Sequence, residues 1–147
     1  YQGATKPLLQ VGVPVPFNLV HLADLLNGRY ASVFGKQFEN TAFTADGKAV
    51  YDLQGQPGGR VTLNEQGLPV EWQEQANGKG WSMEILYSDD PTPLPRRLNL
   101  AHSNGKRAIV LIKEREKVTQ PFTKEQMALP LPDDAPLLPL AKFKQQQ

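Results

Sequence analysis

Three dipeptides that favour tight turns constrain the fold of this chain more than any other feature. Asp46-Gly47, Asn77-Gly78 and Asn104-Gly105 each lie between runs of residues typical of β-strands. Such pairs favour two-residue turns whose twist matches that of antiparallel strands. The sequence therefore predicts three β-hairpins within an antiparallel meander. Its 13 prolines and 12 glycines agree with many short elements separated by turns.

The strand register follows if each of these turns has a two-residue loop. Around Asn77-Gly78 this places Trp72 opposite Met83, and around Asn104-Gly105 it places Leu100 opposite Ile109. The large apolar side chains then share one face of the sheet, while the hairpin around Asn77-Gly78 presents polar residues on the other. The predicted apolar face consists of Val70, Trp72, Trp81, Met83, Ile85, Tyr87, Leu98, Leu100, Ile109 and Leu111.

One short helix is predicted near the start of the chain. Asn18 is a suitable N-cap, and Gly28 supplies the left-handed residue that commonly ends a helix. A stripe of apolar residues at helical spacing, with Leu25 at its margin, predicts that the helix packs on an apolar surface. The apolar residues in and just before this helix include Phe17, Leu19, Leu22 and Leu26.

The remaining segments fit a single domain. Residues 1–147 contain no linker that would divide them, and weaker alternation predicts further strands at 38–45, 48–54 and 60–63. Residues 120–147 are rich in proline, so we expect this tail to lie extended over or beside the sheet without adding a helix. The expected fold class is mainly β with a short helix (α+β).

Charge and composition exclude several classes of function. Sixteen basic and fifteen acidic residues leave a formal net charge of +1, which predicts neither a nucleic-acid partner nor a polybasic membrane patch. The chain contains no cysteine, so it can form neither a disulfide nor a thiolate metal site. No apolar run is long enough to span a bilayer, and the first residues lack the pattern of a signal peptide.

No catalytic constellation is evident. His21 and His102 are the only histidines, and neither has a glycine-flanked serine or metal-ligand spacing around it. Asp89-Asp90 and Asp133-Asp134 precede proline or a turn and lack the further oxygen ligands of a calcium loop. The glycine cluster at 55–60 lacks the lysine and helix of a phosphate loop. We therefore expect a protein without enzymatic activity, metal or cofactor.

The apolar face has two interpretations. Most such faces form an ordinary core, but here only a short helix and a proline-rich tail are available to cover the strands. An uncovered, curved apolar sheet would bind an acyl chain. The alternative is a structural or assembly module, in which an exposed strand edge or the apolar face binds another protein.

Several short motifs follow one another in a set order along residues 8–140. A proline-rich stretch, Gly12-Val13-Pro14-Val15-Pro16, precedes the short helix. Asn77-Gly78-Lys79-Gly80-Trp81 then opens a strand, and Leu94-Pro95 precedes another. Leu129-Pro130-Leu131-Pro132 lies near the end. This order resembles that of the LolB-like outer-membrane lipoprotein receptors of the LolA/LolB superfamily.

The resemblance implies a fold and a function. In that superfamily an antiparallel sheet curls into an incomplete half-barrel, helices plug its opening, and the apolar cavity takes the acyl groups of a lipoprotein. The resemblance implies that the short helix is part of this lid, through Phe17, Leu19, Leu22 and Leu26. The expectation is therefore non-enzymatic binding of lipid or lipoprotein acyl chains, related to lipoprotein localisation. The implied location is the periplasm, or the periplasmic face of the outer membrane, of a Gram-negative envelope.

The resemblance covers only the second half of the family fold. The strands and helix that precede the proline-rich stretch in the family have no counterpart here, nor does the N-terminal lipidated cysteine. The chain is then either a fragment of a longer precursor or a reduced relative that completes its sheet by pairing with a second copy. The implied partners are the acyl chains themselves and, in the second case, that copy in a homodimer.

Overall fold

Seven strands form one antiparallel sheet and follow one another in chain order, which confirms the mainly β meander. The computed structural model describes residues 16–55 and 57–128, without the side chain of Asn40. The first and last strands each pair with a single neighbour, so the sheet is not closed. The elements are α1 (Leu19–Leu26), α2 (Tyr30–Phe34), β1 (Phe38–Phe43), β2 (Ala49–Leu53), β3 (Gly59–Leu63), β4 (Pro69–Gln73), β5 (Trp81–Tyr87), β6 (Pro95–His102), β7 (Arg107–Leu111) and α3 (Lys124–Met127).

The hairpin around Asn77-Gly78 has the predicted register in its paired part, because Trp72 lies opposite Met83. The prediction for Val70 is wrong. The register between β3 and β4 shifts between Thr62 and Leu63, since β4 has an additional residue there. A bulge of this kind turns one residue to the other face. Pro69 and Trp72 are buried, whereas Val70 lies with Glu71 along the opposite face.

The hairpin between β6 and β7 differs from the prediction by one residue. Its loop has three residues, because the amide of His102 donates to the carbonyl of Lys106, and Gly105 takes a left-handed φ of 94°. Leu100 consequently lies opposite Ala108, and Leu98 opposite Val110. A slip of one residue exchanges the two faces of a strand. Ile109 and Leu111 are therefore on the face away from the core, and the prediction that they share the apolar face is wrong.

Helix α1 forms where it was predicted, and the amide of His21 donates to Oδ1 of the N-cap Asn18 at 2.7 Å. Phe17 is buried, and Leu22 and Leu26 pack against the core. Leu25 is fully buried, whereas Leu19 is 59% exposed, so the inclusion of Leu19 in the lid face is wrong. Apolar residues surround most of this short helix, and for that reason periodicity alone could not choose which of them face the sheet.

Two further helices were not predicted. Helix α2 has only five residues, too few to show a helical period, and it buries Val33 and Phe34. Helix α3 lies in the predicted tail and begins at Thr123 with a capping box. The expectation that the tail adds no helix is therefore wrong, and residues 113–128 are all exposed. Residues 129–147 of the tail, and Gly12–Val15 of the proline-rich stretch, lie outside the described residues.

The core lies between α1, α2 and one face of the sheet, which we call the inner face; the opposite face is the outer face. The sheet contributes side chains from β3 to β6, and Phe17 packs over Trp72 with ring centroids 5.2 Å apart. The Nε1 of Trp72 donates to the carbonyl of Gly58 at 2.9 Å, which joins β4 to the start of β3. The buried core consists of Phe17, Leu25, Val33, Phe34, Val61, Trp72, Trp81, Met83, Ile85, Leu98 and Leu100.

Gly59→Ala should destabilise the protein strongly. Gly59 has a φ of +84°, and a Cβ there would lie 2.1 Å from the carbonyl oxygen of Gln73. The left-handed backbone costs an alanine about 1–2 kcal/mol, and overpacking adds about 1–3 kcal/mol. In urea unfolding we expect a loss of about 3 kcal/mol or more. Gly78→Ala is the control: φ is similar at +76° but no atom lies within 4 Å, so its loss should be about 1 kcal/mol. Equal losses in the two variants would contradict this close approach.

Candidate functional site

An apolar crevice of about 330 Å³ opens on the inner face, between α2 and the first strands of the sheet. Its volume lies at the lower end of the range typical of small-molecule sites, roughly 300–1,000 Å³. No charged residue lines it; the polar groups among its lining side chains are the hydroxyls of Tyr30 and Tyr51. We call it the α2 crevice, and it is lined by Tyr30, Ala31, Phe34, Gly35, Phe38, Tyr51, Leu53, Val61, Leu63, Gly67 and Pro69.

The crevice is open because the two helices cover only part of the inner face. Beneath them the strands β4, β5 and β6 bury their inward side chains almost completely. At the other end of the sheet, Tyr51 and Leu53 of β2 are only partly buried. Phe38 of β1 is 53% exposed and stacks edge-on against Tyr51, with ring centroids 4.8 Å apart. The apolar surface left uncovered therefore belongs to β1, β2 and β3.

Successive side chains of β2 and β3 point to opposite faces of the sheet, and this alternation directs every second one into the crevice. In β2, Tyr51 and Leu53 face inward, and the intervening Asp52 accepts a hydrogen bond from Nε of Arg60 at 2.7 Å. Tyr51 lies directly opposite Val61 of β3. Strand pairing thus places aromatic and aliphatic side chains side by side on one face and an ion pair on the other.

The predicted apolar face is brought together only in part, and that part is closed. Trp72, Trp81, Met83, Ile85, Leu98 and Leu100 are each at most 5% exposed and lie in one cluster with the helices. The chain's own Phe17 and Leu25 occupy the space above the sheet there. Val70, Ile109 and Leu111 lie on the outer face, so these three predicted site residues do not join the others.

Tyr87 is at the border between this closed core and the α2 crevice. Its ring meets the ring of Tyr30 edge-on, with centroids 6.4 Å apart. Burial, reinforced by the neighbouring Tyr30 hydroxyl, raises the pKa of Tyr87 well above its usual range. The phenol therefore stays protonated and donates to the carbonyl of Pro69 at 2.5 Å. This bond holds β5 against the start of β4, where Pro69 lines the crevice.

Sequence reasoning missed most residues of the α2 crevice. Tyr51, Leu53, Val61 and Leu63 do alternate with polar or smaller residues, but each run is only five residues long. Tyr30 and Phe34 lie in α2, a helix that the sequence did not predict. The usable signal was the short alternation in β2 and β3, and it gave no indication that the helices would leave these strands uncovered.

A second and larger space, about 820 Å³, lies along the outer face. Charged and polar side chains line it together with apolar ones, and some of the polar side chains are bonded to one another. The Nδ2 of Asn99 donates to Glu84 at 2.7 Å, and the Nε of Arg97 donates to Asn99 at 2.7 Å. Lys48 pairs with Asp46 at 2.7 Å and holds the pKa of that carboxyl down at about 2. Because charged side chains line this groove and none lines the α2 crevice, the groove suits an aliphatic ligand less well.

The two histidines make contacts that stabilise local structure, through the ring in His102 and through the backbone amide in His21. The ring of His102 packs edge-on against Trp81 at 5.0 Å, and its Nδ1 accepts from the amide of Asn104 at 3.1 Å. His21 lies in α1 next to the N-cap bond. Within the part of the chain that the structure describes, no three His, Asp or Glu side chains are grouped to hold a metal ion. Asp133-Asp134 lies outside that part.

The class defined by these features is an open antiparallel meander whose short helices cover one face in part and leave an apolar crevice. Comparisons of the chain with protein-family models, with curated proteins and with solved structures gave no match. Among the described helices, none has the length and apolar character needed to cross a membrane.

The position of α1 over the sheet depends on Arg115, in the segment after β7. Its Nη1 donates to the carbonyl of Leu26 at 2.6 Å, and its Nη2 donates to the carbonyl of Pro95. The carbonyls at the end of a helix lack partners within the helix. One guanidinium therefore joins the end of α1 to the start of β6.

Arg115→Ala should loosen α1 without unfolding the sheet. Hydrogen bonds from a charged donor contribute about 1.5–3 kcal/mol each, and exposure to water reduces this to about 1–2 kcal/mol for the pair. We expect faster amide hydrogen exchange in Leu22 to Leu26 and little change in β5. Lys117→Ala, an equally exposed neighbour, is the control. Unchanged exchange in α1 would show that Arg115 does not hold the helix.

Proposed function

We propose that this protein binds the acyl chain of a lipid or lipoprotein in the α2 crevice, without catalysing a reaction. The observation that carries the proposal is an open space of about 330 Å³ whose lining has no charged side chain. Burying a charged group without a partner is unfavourable, whereas burying aliphatic surface is favourable. The crevice therefore selects for an apolar ligand.

The mouth of the crevice supports a ligand with one polar end. Phe38 and Ala31 are exposed at its rim, and Lys36 lies two residues before Phe38 and is also exposed. An acyl chain inserted between α2 and β2 would keep its head group in water, near this rim. An amphiphile of this kind needs no charged partner within the crevice, which agrees with a lining that has no charged side chain.

The proposal includes an architecture and a location. An open meander with helices against its inner face is compatible with the incomplete half-barrel of the LolA/LolB superfamily, and we propose that the sheet is of this type. The sequence resemblance supports a role in lipoprotein localisation in the periplasm or at the periplasmic face of the outer membrane. Acyl chains crossing that aqueous compartment require an apolar site that shields them from water.

The affinity for a fatty acid should increase with the length of its acyl chain, because each added methylene group is buried in the α2 crevice. Each buried methylene group contributes about 0.8 kcal/mol, which corresponds to about fourfold in Kd. In a series of fatty acids titrated against an apolar fluorescent dye, Kd should fall by about fourfold per methylene until the crevice is full, and then level off. A series with no dependence on chain length would contradict binding by burial.

Ala31→Trp should block the crevice. Ala31 is exposed on α2 and lines the α2 crevice, so an indole there fills the space without disturbing the core. We expect at least a tenfold weaker binding of the longest fatty acid that fits, with unchanged thermal unfolding. Ser32→Trp is the matched control, because Ser32 is exposed on the same helix but does not line the crevice. If Ala31→Trp and Ser32→Trp bind the fatty acid with equal affinity, the acyl chain does not bind in the α2 crevice.

A further inference from the structure

The outer edge of β7 carries backbone groups that no strand of the described chain pairs with. The amide of His102 donates to Lys106, and the amide of Ile112 donates to the carbonyl of Arg96. Hydrogen-bonded and non-hydrogen-bonded positions alternate along an antiparallel pair. Ala108 and Val110 therefore use their backbone groups toward β6. The N–H and C=O groups of Arg107, Ile109 and Leu111 point toward the open edge.

The two edges of the sheet differ in how well they suit another strand. In β1 the register is irregular between Phe38 and Thr41, and such irregularities discourage edge-to-edge pairing. In β7 every residue pairs with β6 in regular register, and the strand contains no proline. Its edge also presents exposed apolar side chains, with Ile109 61% and Leu111 54% exposed. Strand β7 lacks the proline and the irregular register that protect many edge strands, and its charged side chains, Arg107 with Lys106 and Lys113 beside it, lie at its two ends.

We propose that β7 pairs antiparallel with β7 of a second copy, with Ile109 opposite Ile109 of that copy. This register places Arg107 of each chain opposite Leu111 of the other. The three residues of each strand whose backbone groups point toward the open edge then all form hydrogen-bonded pairs. The two sheets become one continuous sheet, and the Ile109 side chains contact each other on its outer face.

Charge and turn geometry select this register over its neighbours. The backbone groups that point toward the open edge must face each other in the two strands. The alternative registers are therefore shifts of one strand by two residues. One such shift places Arg107 opposite Lys113, and like charges directly opposite each other are unfavourable. The other places Leu111 opposite Gly105, which lies in the turn between β6 and β7. The two-fold register centred on Ile109 avoids both conflicts.

The proposed interface is independent of the α2 crevice. The crevice is formed by β1, β2 and β3, whereas β7 is the opposite edge of the sheet. The outward side chains of β7 also lie on the outer face, away from the helices. Loss of dimerisation would therefore leave ligand binding intact, and loss of binding would leave the dimer intact.

Introduced cysteines test the register directly, because the chain has no cysteine of its own. In the proposed dimer the two Cα atoms at position 109 are about 5.5 Å apart, within the range that a disulfide bridges. Those at position 111 are separated by four residues along the strand, roughly 14 Å. Under mild oxidation we expect Ile109→Cys to give a covalent dimer and Leu111→Cys to remain monomeric on non-reducing gels. Cross-linking of Leu111→Cys alone, or of neither variant, would overturn the proposal.

Light scattering of the uncross-linked protein provides the second measurement. We expect the unmodified chain to be a dimer, and Ile109→Lys to make it monomeric by placing two like charges opposite each other. Phe43→Lys is the matched control: Phe43 is 77% exposed on the other edge strand, and this variant should remain dimeric. Circular dichroism establishes that each variant is folded. A monomeric unmodified chain, or a dimer lost only in Phe43→Lys, would overturn the proposal.

Discussion

The packing of Phe17 over Trp72 is the contact on which the arrangement of the helices depends. Trp72 is at the centre of the inner face, and its indole is held by the hydrogen bond to Gly58. Phe17 immediately precedes the N-cap of α1, so its contact with Trp72 sets where α1 begins on the sheet. Leu25 then reaches full burial, and Arg115 holds the far end of the same helix. A short helix is marginal alone, and these contacts stabilise it.

The same arrangement explains why a crevice is present. Helices of eight and five residues cannot cover a sheet of seven strands. Since α1 is directed to β4–β6 by Trp72, the uncovered part falls at β1–β3. Tyr51 and Leu53 would be unremarkable core residues beneath a longer helix, and here they border open space. The candidate site is therefore a consequence of helix length and placement, with no special motif in the strands that line it.

Turn geometry decided which apolar residues became core and which became surface. Asn104-Gly105 was rightly identified as a turn, but its loop has three residues, and the change exposes Ile109 and Leu111 in place of Ala108 and Val110. The two faces of β7 are similarly apolar, so hydrophobicity could not correct the error. In β5, where Trp81, Met83 and Ile85 alternate with Ser82 and Glu84, the face was predicted correctly. A strand reveals its inward face from sequence only when its two faces differ in polarity.

The sequence by itself determined the antiparallel meander, most of its strands, the position of α1 and the buried side chains that β4, β5 and β6 contribute to the core, with the exception of Pro69 and Pro95. These depend on local turn chemistry and on alternation, which neighbouring residues specify. Only the tertiary structure decided the register of β7, the bulge that turns Val70 outward, the formation of α2 and the location of the crevice. Each of these depends on contacts between segments far apart in the chain, or on choices between nearly equal local alternatives. Such alternatives are resolved by the packing of segments that are distant in the chain, which the local sequence does not specify.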